Sequence, residues 1–594
     1  MKIKSLLLGM LTCFAVVACT NEDTPEVSNG VDNAGGTVYM AVKFDISDTA
    51  GSRAVNNENA LYNTGSTAEQ TIDPNKSIFL FYDGSDKYVT FGTVNQSTST
   101  SHDQGGSVTN GTAIDIHNQA YIALSGPDGS IKNIKKVLTV INYNNVDALK
   151  MLPLSDALSA IAEDDMIAEG STEPADATKD DPANGEDGNN GFLMTTSVYL
   201  DANNAVVNTT AIADGDFFDD QQEALTAPNP VVIHVERAAA KVQVIANETY
   251  DVKDSEDETA ASDAGDIHVD GALKTITMNI DGWKLNNINP TTTIMKDIND
   301  WANAKDAPFT TPAWNETANW RSYWAKGTNW NMTAGNVVST SDTNGKALKV
   351  YTYGDADTEA TNDGYEYCWE QTVGTAHAAR GTANPNVTTV LIAAHFSFDG
   401  STGDYFKHNG VYYSENTLKD IILKNMATKY YTKATAADGT VTYPGLSKED
   451  LVIATDGTLA GITVTVKAKD GEGDNATDIK YYSDENGTTV EQSVINTAIN
   501  ATGYVAGVVG YKGGACYYQI PIEHLSSTTE APFYGVVRNH WYKLTINNVK
   551  HIGEAVYNPD VLIPQIPPKN TEWYMAAEIH VLSWRMVEQG VTLE

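Results

Sequence analysis

The residues that could carry chemistry in this chain are few, and they do not gather. Its eleven histidines show no ligand spacing, and the chain has no HExxH, no Walker A loop, no GxSxG and no GxGxxG in a βαβ setting. "DGDFFDD" (Asp214–Asp220) and "KDGEGDNATD" (Lys469–Asp478) offer carboxylates to calcium, but neither keeps the glycine and glutamate positions of an EF-hand loop. With 77 acidic residues in the chain, solvated acidic turns are the simpler reading. A carboxylate pair for glycoside hydrolysis is defined only by spacing in three dimensions. "WNETANWRSYWAKGTNW" places Trp314, Trp320, Tyr323, Trp324 and Trp330 in one segment. Such aromatics could stack on sugar rings or pin a long loop to its domain. The spacing fits neither one helix face nor one strand face, which favours anchors. The expectation is a protein that is not an enzyme and needs no metal or cofactor.

What remains is processing chemistry at two positions near the N-terminus. "MKIKSLLLGMLTCFAVVAC" has Lys2 and Lys4, an apolar stretch from Leu6 to Val17 and a small residue before Cys19. The stretch is too short for a permanent membrane span and reads as an export signal, with "VVAC" as a lipobox and Cys19 as the acylated residue. The second position is Arg53, alone in the polar loop "DTAGSRAVNNENA". The chain has six arginines (Arg53, Arg237, Arg321, Arg380, Arg538 and Arg585), so none lies between Arg53 and Arg237.

Composition limits the partners. The 594 residues suffice for two to four domains, and 41% hydrophobic with 19% charged residues describes a globular chain. A net charge of −39 repels nucleic acid and anionic lipid headgroups, leaving the precursor's lipid as the expected membrane link. Cys368 and Cys516 could form one disulfide or remain buried thiols.

These positions must be held by β-structure. Between Thr37 and Ser47, Val38, Met40, Val42, Phe44 and Ile46 fall on every second residue, the period of a strand with one buried face. Short β-rich runs follow at Ser77–Tyr82, Tyr88–Val94, Ala120–Gly126 and Lys136–Tyr143. A helix is predicted over Val146–Asp165, interrupted by Pro153, and a mobile acidic loop over Glu169–Asn190. Asn229–Glu248 reads as a strand pair near a domain boundary, and the second half alternates strands and turns around one amphipathic helix, Glu415–Met426. Many short strands and few helices predict a mainly β fold with at least two β-sandwiches. The C-terminus has a connector with Pro559, Pro564, Pro567 and Pro568, then an extended run from Glu578 to Leu593. That run could close its own sheet or add to the sheet of another molecule. A removable first strand ahead of a lone arginine, with a C-terminal strand able to replace it, is the logic of polymerisation by strand exchange.

At this point the chain resembles the major fimbrillins of Bacteroidales, which build type V pili. The resemblance rests on "VVAC", "GSRAV", "NNGFLMTTS", "VERAAAKVQV", "NWRSYWA", "YCWEQT", "VVRNHWYKLTINNV" and "WYMAAEIHVLSWRMVEQGVTL", in that order. The last is most similar to shaft subunits of short (minor) fimbriae. The resemblance implies two transthyretin-like β-sandwich domains with a few short helices and no catalytic residues. It implies a signal peptide over 1–18, a lipid-anchored propeptide over 19–53, sandwiches over 54–232 and 233–560, and a connector with donor strand over 561–594. An arginine-specific surface protease would cut between Arg53 and Ala54. The cut would remove the strand carrying Val38, Met40, Val42, Phe44 and Ile46. A neighbour's Ile579, Val581, Leu582, Trp584, Met586, Val587, Val591 and Leu593 would supply its replacement. The implied partners are copies of the chain itself and tip and anchor subunits, on the cell surface, in adhesion and biofilm formation. The long acidic insert and the net charge depart from the family pattern, so adhesive receptors do not carry over. The alternative is a surface lipoprotein that keeps its lipid and binds glycans through β-sandwich modules.

Overall fold

The computed structural model of the chain describes residues 37–45, 62–63, 71–98, 114–115, 119–125, 131–163, 192–252, 267–299, 315–328, 348–357, 365–372, 387–470, 477–524, 533–563 and 584–593. The first part builds one sheet from β1 (Thr37–Asp45), β2 (Ile78–Asp83), β3 (Tyr88–Thr98), β4 (Gln119–Ser125), β5 (Ile134–Ile141), β6 (Met194–Thr196), β7 (Thr210–Ala211), β8 (Phe217–Phe218) and β9 (Val231–Arg237). Its order is β6-β9-β1-β4-β3-β2-β5-β7, with β8 on β1. The short β6 also pairs with β5, because Met194 lies opposite both Arg237 and Ile141, so the sheet closes on itself. Inside lie Val38, Met40, Val42, Phe79, Phe81, Ile122, Val137, Ile233 and Val235.

Strand β2 shows why a plain apolar run forms here. Phe79 and Phe81 face that inner core, while Ile78, Leu80 and Tyr82 face a second cluster containing Trp324 and Trp369. Both faces are covered, so every residue from Ile78 to Tyr82 is buried and no alternation is needed. Gly92 on β3 has a steric reason to be glycine: a Cβ there would sit 2.4 Å from Ile122 Cγ2. The predicted helix over Val146–Asp165 breaks into a 3-10 turn at Val146–Leu149, a short helix at Leu154–Leu158 and a strand at Ile161–Glu163. Met151 at φ 65° and Pro153 interrupt the helical path between the first two pieces.

The second part is a two-sheet sandwich. One sheet contains β10 (Ala239–Ile245), β13 (Tyr365–Trp369), β16 (His540–Val549) and β18 (Trp584–Leu593), in the order β18-β16-β10-β13 with Tyr62–Asn63 outside β18. The other contains β11 (Thr249–Val252), β12 (Ile276–Asn286), β14 (Thr389–Phe398), β15 (Ala515–Pro521) and β17 (Glu554–Ala555), in the order β11-β12-β14-β15-β17. Val242, Val244, Tyr542 and Leu544 from the first meet Met278, Ile392, Ala394 and Tyr518 from the second. An insertion between the strands Val411–Ser414 and Val509–Tyr511 has its own core: Leu418 and Ile422 of one helix, Ile495 and Ile499 of another, and the hairpin residues Val464 and Val466.

The chain passes from β9 to β10 through Ala238 alone, so the segment Asn229–Glu248 is not a hairpin but a link between two sheets. The link is fixed by buried charge. Lys296 Nζ lies 2.5 Å from Glu236 Oε2, both side chains fully buried, and donates to Ser322 O at 2.9 Å. Arg237 donates to Asn539 Oδ1 at 3.2 Å, while Asn539 N donates to Ala239 O at 2.7 Å. Arg538 pairs with Glu370 at 3.3 Å and donates to Ile294 O and Thr293 O, each at 2.8 Å. Burial pushes the Lys296 ammonium below its ordinary pKa, against the pull of Glu236 and Glu370.

Cys368 and Cys516 are free thiols in the sandwich core, with Cys516 Sγ 3.7 Å from Met278 Sδ. Burial raises both, Cys516 to about 12, so neither is a thiolate at neutral pH. In the folded protein neither should react with an aromatic disulfide reagent, and both should react after denaturation. A fast-reacting Cys368 or Cys516, or a bond between them on peptide mapping, would contradict this core. Glu236→Gln leaves Lys296 buried without its counter-charge and should cost about 3–5 kcal/mol in denaturant unfolding. The double change Glu236→Leu, Lys296→Met should recover most of that loss.

Candidate functional site

The site is the slot held by β1. Its residues pair antiparallel with β4 through Val38↔Leu124, Met40↔Ile122 and Val42↔Ala120. On its other edge it pairs parallel with β9 through Val42↔Val231 and Phe44↔Ile233. Val38, Met40 and Val42 are fully buried in the inner core. On the opposite face, the Tyr39 ring meets Tyr121 edge-on, with centroids 5.5 Å apart. Ala41 packs with Ala224 and Leu225 of the short helix α1 (Gln221–Leu225), which Asp220 caps by accepting from Gln222 N and Glu223 N. Both faces of β1 are therefore covered and both edges are paired. Each buried aliphatic side chain contributes about 1.5–3 kcal/mol as an upper bound. Without β1, β4 and β9 would each expose a row of unpaired backbone groups beside an apolar trough.

Of the expected removed-strand residues, the structure places Val38, Met40 and Val42 in the inner core. Phe44 lies in β1 with its side chain outside the described residues, and Ile46, Cys19, Arg53 and Ala54 also lie outside them. Of the expected donor residues, Ile579, Val581 and Leu582 lie outside as well. Trp584, Met586, Val587, Val591 and Leu593 belong to β18, which runs parallel to β16 of the same chain from His540↔Arg585 to Val549↔Leu593. Tyr62 and Asn63 pair antiparallel with its start, Tyr62 opposite Arg585.

The other chemistry considered from sequence is structural where it is described. Tyr323 and Trp324 are fully buried, and Trp320 stacks on His234 of β9, rings 3.9 Å apart and 10° from parallel. Trp314 and Trp330 lie outside the described residues. In the acidic run, Asp216 accepts from Ala213 N at 2.7 Å and Asp214 pairs with Lys135. Among the described residues no group of three or more His, Cys, Asp or Glu is placed to hold a metal ion. Sequence reasoning missed the buried residues Glu236, Lys296, Glu370 and Arg538. Arg237 closes an apolar strand and Arg538 sits in the turn between the apolar strands Phe533–Val536 and His540–Val549, and that was the available signal.

Residues 510–590 match the family described as major fimbrial subunit protein type IV, fimbrillin, C-terminal. The C-terminal region, from the strand Val509–Tyr511 into β18, is thus that of a fimbrillin-like protein. No curated protein matches the sequence. Two solved structures of candidate cell adhesion proteins are among those similar to the chain. One, from Bacteroides eggerthii, is 11% identical over 63% of this chain and 79% of its own, with a TM-score of 0.25. The other, from Parabacteroides distasonis, is 12% identical over 62% and 76%, with a TM-score of 0.26.

Trp324→Ala should remove about 3–5 kcal/mol of stability, the usual cost of emptying a buried indole. A fully stable Trp324→Ala protein that had lost affinity for a polysaccharide would instead make this residue a sugar platform.

Proposed function

We propose that the chain is a structural subunit of a cell-surface fimbria that polymerises by protease-triggered strand exchange, with roles in adhesion and biofilm formation. The observation that carries this reading is the place of β1. It is an internal strand of a closed sheet, yet it is the first described strand and lies just ahead of the lone Arg53. The fimbrillin match of the C-terminal region supports it.

In this reading the precursor is exported, cut ahead of Cys19 and acylated there, and held at the outer membrane by lipid. An arginine-specific protease hydrolyses the bond between Arg53 and Ala54, and β1 leaves with its anchor. The opened slot between β4 and β9 receives the C-terminal segment of a neighbouring subunit, within the range 561–594 that contains Ile579 to Leu593. The two sandwiches expected over 54–232 and 233–560 act as the structural domains, with the passage between their sheets at Ala238. Partners are further copies of the chain, tip and anchor subunits, and the protease. The glycan-binding lipoprotein is the weaker reading, because Trp324 is fully buried.

The test is the N-terminus of the surface-assembled protein, read by mass spectrometry beside an Arg53→Ala variant. Ala54 as the first residue, with the variant held as a lipid-bound monomer, is the expected result. An acylated Cys19 on the assembled form would overturn the mechanism.

A further inference from the structure

The occupant of the slot can be identified more closely than "a C-terminal strand", granted the strand-exchange reading above. Three constraints define it. Positions 38, 40 and 42 enter the inner core, position 39 must place a ring against Tyr121, and position 41 must be small beneath α1. No five-residue window of β18 meets these. Every window within "WRMVEQGVTL" contains Arg585, Glu588 or Gln589, and would bury a charge or an amide where β1 has only apolar groups and one tyrosine. The structure also gives β18 a long ladder of its own on β16.

A different segment does meet them. β1 and its neighbours read Val38-Tyr39-Met40-Ala41-Val42-Lys43-Phe44; the end of the proline connector reads Trp573-Tyr574-Met575-Ala576-Ala577-Glu578-Ile579. The tripeptide Tyr-Met-Ala recurs in the same phase, followed after one small apolar residue by a charged residue and then a large apolar one. We infer that Trp573–Ile579 of a second copy of this chain is the strand that fills the vacated slot, in the register of β1 and running in the same direction.

In that register Met575 replaces Met40 in the core, Tyr574 replaces Tyr39 against Tyr121, and Ala576 replaces Ala41 under α1. Ala577 falls opposite Ala120, where Val42 was. Trp573 takes the place of the fully buried Val38, with more bulk, and Ala577 takes less volume than Val42. The connector from Pro564 to Thr571, with Pro564, Pro567 and Pro568, reaches roughly 25 Å at about 3.1 Å per residue when extended. That length can carry the segment away from Ile563, the last described residue before it, toward a neighbour's slot without using any residue of the segment itself. Of the residues expected from sequence to donate, only Ile579 belongs to this strand.

The test uses the full chain cut after Arg53, with two synthetic peptides, residues 571–581 and residues 582–594. The first should raise the melting temperature of the cut protein and stop fibre growth, and the second should do neither. An effect from the second peptide alone would overturn the inference and keep strand exchange. Fibres that grow unhindered by either peptide, from protein that neither peptide stabilises, would defeat both. Register is read separately in the variant Ala120→Cys, Ala577→Cys. A disulfide-linked ladder of subunits under mild oxidation is expected, and blocking by the first peptide without that ladder would overturn the register.

Discussion

The structure depends most on one arrangement: β1 is hydrogen-bonded along both edges and covered on both faces. An edge strand can be peeled from a sheet at the cost of one ladder. An internal strand of a closed sheet takes two ladders and a stripe of core with it. Loss of β1 by thermal fluctuation is therefore rare, and a sheet lacking it is strongly reactive toward any strand of suitable pattern. On the proposed mechanism, placing such a strand ahead of Arg53 builds a store of unsatisfied pairing that only a covalent event opens.

A slot is useful only if its walls stay apart once it is empty. β4 is held on its far side by β3, within the closed sheet. The other wall, β9, has only the three-residue β6 beyond it. Its support comes from the second domain. Glu236 is paired with Lys296, Arg237 with Asn539, and His234 is stacked on Trp320. Buried ion pairs contribute little net stability compared with apolar packing, but they penalise every geometry other than their own. In this position that property matters more than stability, because the end of β9 cannot slide without leaving Glu236 or Lys296 unpaired in the core.

Much of the fold was legible because burial on one face leaves an alternating trace. Val38, Met40 and Val42 were readable from their spacing alone, and the Trp324 segment was read as anchors because its spacing fits no single face. The rest was not readable for identifiable reasons. Closure of the first sheet depends on Met194 and Thr195 pairing on two sides, and three residues carry no periodic signal. The break at Met151 was hidden because a non-glycine residue at positive φ has no sequence mark beyond the nearby proline. The partners of Glu236 and Arg237 are 60 and 302 residues away, so a local reading shows only a charged dipeptide in an apolar strand. The insertion with Leu418, Ile495 and Val464 read as more of the same sandwich, since its separate core is defined by contacts and not by composition.

The closeness of Trp573–Ile579 to β1 bears on what gives assembly its direction. If the two strands make nearly the same contacts, neither has much advantage from contacts alone. The difference then lies in how each is tethered. In the uncut chain β1 is joined covalently to its own slot, an effective concentration in the millimolar range that a free neighbour does not match. In the proposed mechanism, hydrolysis after Arg53 removes that advantage without altering a single groove residue, and β1 becomes an ordinary dissociable strand. The incoming segment stays attached to a whole subunit that can dock as it enters. On this proposal a slot shaped for one pattern can serve both strands unchanged, and the cut sets the order of events.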